Sequence, residues 1–314
     1  MALLTSLLVP AAASARILTV GSPIEGNFAT AKINVAATFL NLAVTGPDAE
    51  LTSPVDGAIV NFRVLGGEGG PYVIRALRPR GGSYKAVASG NPVYFGEEVT
   101  TPKFKPVPIR EGDAIGLDIP VNAKIGISAA QPGSAWAAFV PSLTDGSTAA
   151  LTKSHAGVEL GFNAQILPRP TVTAVQRGFA RSQRRSMVLI RGTDFTAGAE
   201  VSFGKLPAVS AKVEFEGAIV AVAPPRAKGA TQVRVTTEAG ISKATKASRI
   251  VLSNCRVPRL VGKTLARAVT RIRAASCRLG RVDGYPSRNA IVQKQSPAPG
   301  KNLPFGTRVN LGLR

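Results

Sequence analysis

Short runs of alternating apolar and polar residues, separated by Gly, Pro and Asn, dominate the first half of the chain. Val60-Asn61-Phe62-Arg63-Val64 alternates strictly, which predicts a strand with Val60, Phe62 and Val64 on an inner face. Tyr72–Leu77 predicts another short strand, and Gly66-Gly67-Glu68-Gly69-Gly70-Pro71 predicts the turn between them. Further strands are expected at Ala114–Ile119, Lys124–Ser128, Ala135–Val140 and Val158–Asn163. Pro102, Pro106 and Pro108 mark an edge or a loop, because Pro cannot donate to a ladder. Strands at this spacing, with no helical period between them, predict a two-sheet sandwich. At about 150 residues the segment exceeds an immunoglobulin domain, so a jelly-roll-like β-sandwich is expected over 16–165.

Ile166-Leu167-Pro168-Arg169-Pro170 is a stiff boundary. Beyond it come Pro170–Val175, Val188–Phe195, Ala199–Gly204, Ile219–Pro225 and Gln232–Thr237, a spaced series of apolar strands and turn residues. This series resembles the IPT/TIG family of immunoglobulin-like sandwiches across 170–251. The resemblance implies a second domain at 166–252, with Gly192 and Gly204 at sharp turns and Phe195 and Phe203 in the core. The family's Pro/Gly-rich first turn is replaced by Arg177–Arg185, a stretch carrying four Arg. Such domains serve as spacers or interaction modules, so the resemblance gives no ligand.

In the last segment the period changes. Leu265, Ala268, Val269, Ile272 and Ala275 form one apolar stripe at helical spacing, with Thr264 as N-cap. Cys277–Val282, Ile291–Gln295 and Leu303–Leu311 follow as strand candidates, divided by Gln295-Ser296-Pro297-Ala298-Pro299-Gly300. The Val257-Pro258 opening, the helix, this turn and the closing Pro304-Phe305-Gly306-Thr307 strand resemble a PASTA domain over 253–314. The resemblance implies a small α+β module, one helix on a three-stranded sheet, with cell-wall (peptidoglycan) association. So small a core often needs a staple. Cys255 and Cys277 flank the helix, and in an exported chain a disulfide between them is favoured over a metal site, worth roughly 3 kcal/mol. Two buried free thiols in a cytosolic protein are the alternative.

Charge divides the chain in the same places. Residues 1–165 are net zero, 166–251 are net +9 and 252–314 are net +12. A cationic rear half points to an anionic partner, with a solvated Arg-rich surface as the plain alternative. In the last module Arg267, Arg271, Arg288 and Lys294 are the candidate contacts with a wall polymer. Nucleic acid is not expected, because no aromatics interleave with the basic residues. Residues 2–13 are apolar and Ala13-Ser14-Ala15 precedes Arg16, so 1–15 is expected to be a signal-peptide remnant, though no Lys or Arg precedes the apolar run. Nothing else approaches the ~20 apolar residues of a membrane span, so no integral segment is expected in the mature chain.

Catalytic chemistry finds little support. One His and two Cys exclude most zinc sites and all haem and iron–sulfur schemes. Glu97-Glu98, Glu111, Asp113 and Asp118 are the carboxylates a glycosidase would draw on. Glu97 and Glu98 face opposite sides of a strand, and Arg110–Asp113 has the composition of a polar turn. A calcium site from the same acids is weakly supported. His155 falls in a polar stretch without a relay partner. We therefore expect no catalytic residues, no metal and no cofactor, in a non-enzymatic secreted or cell-envelope protein that binds or scaffolds. The alternatives are a wall-targeted glycan hydrolase with the sandwich as catalytic domain, and an extracellular glycan-binding adhesin.

Overall fold

The computed structural model describes residues 16–46, 49–96, 104–129, 132–177, 186–224, 229–252, 255–303 and 306–314. The signal segment 1–15, Glu97 and Glu98, Pro102, and the Arg-bearing stretch 178–185 lie outside the described residues. Of those described, 56% are in strands and 4% in one helix, so the fold is mainly β. No helix among them is long and apolar enough to cross a membrane. The chain divides into two compact units, 16–169 with 238–240, and 170–237 with 241–314.

The first unit contains β1 (Leu18–Gly21), β2 (Ala29–Lys32), β3 (Ala37–Ala43), β4 (Gly57–Val64), β5 (Gly69–Arg80), β6 (Ser83–Ser89), β7 (Val93–Phe95) and β8 (Val107–Ile109). It continues with β9 (Ala114–Ile119), β10 (Lys124–Ala129), β11 (Ala135–Phe139), β12 (Thr148–Ala150), β13 (Lys153–Ala156), β14 (Val158–Leu160) and β15 (Phe162–Pro168). One sheet has the order β1-β15-β4-β8, and the larger one contains the run β6-β5-β9-β3. The chain passes from β3 to β4, back to β5 and β6, across to β8 and back to β9. After the interposed β10–β14 it closes with β15. This is the strand order of a jelly roll. Val20, Ile59, Phe62, Ile74, Leu117 and Phe162 fill the space between the sheets. Alternate residues of the larger sheet, Leu40, Leu77 and Phe139 among them, form a second cluster with Leu143 on its other face.

Three details depart from the sequence pattern. First, the β4–β15 register slips: Ile166 faces Ile59 and Gln165 faces Asn61, so Val60 is an extra residue. Ile59 and Phe62 are therefore buried, while Val60 and Val64 are half-exposed. Strict alternation overlooks such a bulge, which reverses the facing of everything before it. Second, Gly69, Gly70 and Pro71 already belong to β5, so the turn is confined to the residues around Leu65 and Gly66. Third, Val158–Asn163 is broken at Gly161 into β14 and β15. Pro108 does lie on an edge strand, β8, which among the described strands pairs only with β4.

The second unit opens with β16 (Thr171–Arg177), β17 (Ser186–Thr193), β18 (Glu200–Phe203), β19 (Leu206–Pro207), β20 (Ser210–Phe215), β21 (Ala218–Ala223), β22 (Gly229–Thr237), β23 (Gly240–Ile241) and β24 (Arg249–Leu252). One sheet is β16-β17-β21-β20; in the other β18 and β24 both pair with β22. Lettered A to G, these are the ABED and CFG sheets of a constant-type immunoglobulin sandwich. Phe195 and Phe203 are buried in the core between them, with Val188, Ile190, Ile219 and Val233. Gly204 has φ +62° and turns the chain as expected. Gly192 does not. It lies within β17, and the left-handed residue there is Asp194, at φ +59°. Gly192 is needed for space, since a methyl group would overlap the Thr171 carbonyl oxygen and the Phe195 ring.

The unit ends with β25 (Cys255–Arg256), α1 (Leu265–Ala274), β26 (Arg278–Asp283), β27 (Val292–Ser296), β28 (Asn302–Leu303) and β29 (Arg308–Leu313). The sheet order is β26-β29-β27, with β26 parallel and β27 antiparallel to β29. Ala268 and Ile272 of α1 are buried with Val257, Leu260, Val292, Val309 and Leu311. The Thr264 hydroxyl accepts the Arg267 amide at the start of the helix. At the other end Ser276 is left-handed, the Cys277 amide reaches the Ile272 carbonyl and the Ser276 amide the Arg273 carbonyl, a Schellman stop. Cys255 and Cys277 are joined in a disulfide, with Cα atoms 4.7 Å apart.

Gly192→Ala is expected to destabilise the immunoglobulin-type sandwich by about 1–3 kcal/mol, the usual cost of forcing atoms into filled space. Faster amide exchange in β16 and β17, with β26–β29 unchanged, would show it.

Candidate functional site

Two of the acids that a hydrolytic site would use, Asp113 and Asp118, are engaged in ion pairs. Asp113 is buried and accepts Arg78 Nε and Nη2, each at 2.8 Å, and the Arg110 amide at 2.9 Å. The bond to Asp113 holds the Arg78 guanidinium above its ordinary pKa. Asp118 accepts Arg75 through Nε at 2.8 Å and Nη2 at 2.7 Å, and the Thr38 hydroxyl at 2.5 Å. Arg75, itself only 8% exposed, also reaches Asp145 at 2.6 Å. These pairs tie β5 to β9 and fix the segment that carries Asp145 onto the larger sheet. Glu111 is exposed in the turn before β9, and its amide donates to Asp56. Asp113 thus pairs with the part-buried Arg78, and Asp118 with the buried Arg75.

His155 stands on β13 rather than in a loop. It is exposed, with its ring stacked on Trp136 at a centroid separation of 6.2 Å. Sequence reasoning passed over Glu159, which is 2% exposed. It accepts the Ser22 hydroxyl at 2.5 Å and the Thr45 amide at 3.3 Å. Beside it, Asn41 exchanges hydrogen bonds with the Leu160 backbone, and Asn163 donates to the Ser22 carbonyl. The signal was a single acid inside an otherwise apolar strand. A buried carboxylate at such a place needs donors, and the chain supplies hydroxyl and amide groups. No group of three His, Cys, Asp or Glu among the described residues is placed to share a metal ion.

The C-terminal module presents two cationic faces. Arg267 and Arg271 are exposed on α1, whose Ala268 and Ile272 face the sheet. The Arg288 carbonyl accepts the Ala266 amide at 3.3 Å, which brings the exposed Arg288 beside the first turn of the helix. Lys294 is elsewhere. The β27–β29 register slips between Val292 and Lys294, so Val292 pairs with Leu313 and Lys294 with Gly312. Val309 and Leu311 point into the core, so Arg308, Asn310 and Gly312 point away from it, and Lys294 shares their side. The four candidate contacts thus do not form one site: three lie on the helix side and one on the outer face of the sheet.

The outer face holds further cations. Arg278 pairs with Arg308 across the β26–β29 ladder. Burial, and then repulsion from Arg308, lower the Arg278 pKa from its ordinary value. Gly280 lies between them and Asn310, where a side chain would collide with the Asn310 amide. Asp283 is held by Arg281 at 2.6 Å. On the helix, Arg271 and Arg273 occupy the last turn, where positive charge is favoured by the helix dipole.

Compared with known proteins, residues 256–313 match the PASTA domain family. No curated protein matches the chain. The C-terminal segment is thus a PASTA-type module, closed by a disulfide.

Two outcomes follow. Arg75→Leu leaves the part-buried Asp118 carboxylate beside an apolar group and is expected to cost about 3 kcal/mol in the jelly roll. Because Trp136 is the only Trp in the chain, its emission during urea unfolding reports that domain. Reducing Cys255–Cys277 is expected to cost the last module roughly 3 kcal/mol, seen as loss of amide protection in α1 and β26 at lower urea than in the oxidised protein.

Proposed function

We propose that the protein is a secreted, envelope-associated binding or scaffolding protein without catalytic activity, whose C-terminal module associates with peptidoglycan or the anionic polymers attached to it. The observation that carries this reading is the coincidence of the PASTA match at 256–313 with the most cationic stretch of the chain, net +12 over 252–314. PASTA domains are peptidoglycan-associated modules as a family, and wall polymers present carboxylates and phosphates. A disulfide at the helix favours an oxidising compartment, which supports export. The strand order of the second sandwich supports an IPT/TIG-like spacer between the jelly roll and the module. The ion pairs at Asp113 and Asp118 give those acids a structural purpose and support a non-hydrolytic role for the front domain.

The full-length protein is expected to co-sediment with purified insoluble wall at low salt. Most of that binding should be lost near physiological ionic strength, where charges are screened within ~8 Å. It should release neither reducing ends nor peptides from the wall. Absence of sedimentation at low salt overturns the wall-binding reading, and turnover that is lost in Asp118→Asn without unfolding overturns the non-enzymatic one.

A further inference from the structure

We propose that one end of the C-terminal module docks on an anionic lipid surface, with Val261, Tyr285 and Ile291 entering the headgroup layer and Arg267 and Arg288 meeting the lipid phosphates. The proposal goes beyond wall binding and does not rest on it. Several chain segments meet at this end. Gly284, just past β26, lies so close to the end of β29 that a Cβ on it would fall 2.7 Å from the Leu313 carbonyl oxygen. The next residue of that strand's chain, Arg314, exchanges backbone hydrogen bonds with Ile291 at 3.0 and 3.1 Å. Beside it, the Val292 carbonyl accepts the Gly262 amide at 2.8 Å, and the Val292 amide donates to the Lys263 carbonyl at 2.9 Å. Residues 284–285, 313–314, 291–292 and 261–263 thus lie side by side, about three strand spacings or ~14 Å across.

This end is apolar at its surface. Tyr285 is 89% exposed, Val261 47% and Ile291 37%. One such side chain in water is ordinary, but three at one end of so small a module mark an interaction surface. The same end is cationic. The first turn of α1 is held there, since the Leu265 amide donates to the Ala290 carbonyl at 2.8 Å and the Ala266 amide to the Arg288 carbonyl. That turn contains no acid, so the positive end of the helix dipole is not offset by a side chain. Arg267 stands in the same turn, and both it and Arg288 are exposed. The module's one acid, Asp283, borders this end and is engaged by Arg281.

The two properties together select the partner. A hydrated wall polymer would use the cations but offers Val261 and Ile291 no apolar phase to enter. A bilayer interface takes both: a Tyr side chain settles at headgroup level with its ring in the apolar layer and its hydroxyl in the wet one, and each cation beside an anionic surface contributes roughly fivefold in affinity. Apolar exposure without the charge is found elsewhere. Phe215 on β20 is 52% exposed but stands between the exposed Glu214 and Glu216, which an anionic surface repels.

The test floats the full-length protein with phosphatidylcholine vesicles, with and without phosphatidylglycerol. Wild type is expected to float with the anionic vesicles and not with the neutral ones. Tyr285→Ser with Val261→Ser is expected to weaken that binding about tenfold, through lost apolar insertion. Arg267→Gln with Arg288→Gln is expected to weaken it tenfold or more, at roughly fivefold per cation. Phe215→Ser with Val209→Ser, a matched removal of exposed apolar surface from the sandwich, is expected to stay within about twofold. Far-UV circular dichroism checks folding, and Tyr285→Ser alone, expected to cost about threefold, replaces the double variant if that one is unfolded. No flotation of wild type, equal flotation with both kinds of vesicle, or equal losses in the Tyr285 and Phe215 variants overturns the inference. So does a Tyr285 variant that floats normally but no longer sediments with wall, because the surface then serves the polymer. Wild type that sediments with wall but does not float removes this inference and leaves wall binding standing.

Discussion

A strand turns successive side chains to opposite faces, so one extra residue exchanges inside for outside along the rest of the run. Much of this structure depends on where such residues are inserted. At Val60 the insertion moves Ile59 into the jelly-roll core beside Phe62. Between Val292 and Lys294 it lets Val292 join the helix-side core while Lys294 emerges on the other face. In β16 the register slips opposite Gly192, where β16 and β17 approach too closely for any side chain. Each bulge interrupts a ladder locally, and each is retained where it places a side chain that regular pairing would place wrongly.

Electrostatics separates the two halves. In the jelly roll, acids and bases balance, and the buried Arg75 and Asp113 both find partners: Arg75 in Asp118 and Asp145, Asp113 in Arg78. A buried carboxylate deprived of its cation is costly, so these residues are constrained by folding before any question of chemistry arises. Glu159 solves the same problem with hydroxyl and amide donors. The C-terminal module has one acid, Asp283, and it is already engaged by Arg281. Arg267, Arg271, Arg288 and Lys294 stand exposed at its surface, where the fold tolerates them at small cost.

Element type was largely legible in the sequence because it depends on local periodicity. Ala114–Ile119 is a strand with the boundaries that its pattern implies, and the stripe Leu265–Ala275 is the helix with Thr264 at its cap. Phe195 and Phe203 were legible as core only through the resemblance to an immunoglobulin-like sandwich, and both are buried there. Facing was less legible. Nothing in Val60–Val64 or Val292–Lys294 announces a bulge, since the slip is set by the partner strand. For the same reason the sequence did not reveal that Lys294 stands on a different face from Arg267, Arg271 and Arg288, or that Arg278 and Arg308 are ladder neighbours. Their adjacency arises from a parallel ladder between residues 30 positions apart. Gly192 was recognised as necessary, but for curvature; the reason is close approach, which depends on Thr171 and Phe195.

The disulfide between Cys255 and Cys277 also determines how the last module responds to tension. Its chain enters at Cys255, the first half of that link. Force arriving along the backbone crosses directly from one sulfur to the other and passes into β26, which begins at the next residue. The segment between the cysteines, α1 included, lies outside the load path. From β26 the load is transferred to β29 through a parallel ladder, whose hydrogen bonds are strained together when the strands are drawn past one another and not one at a time. The covalent link thus makes the sheet the mechanical element of the module and leaves the helix as packing.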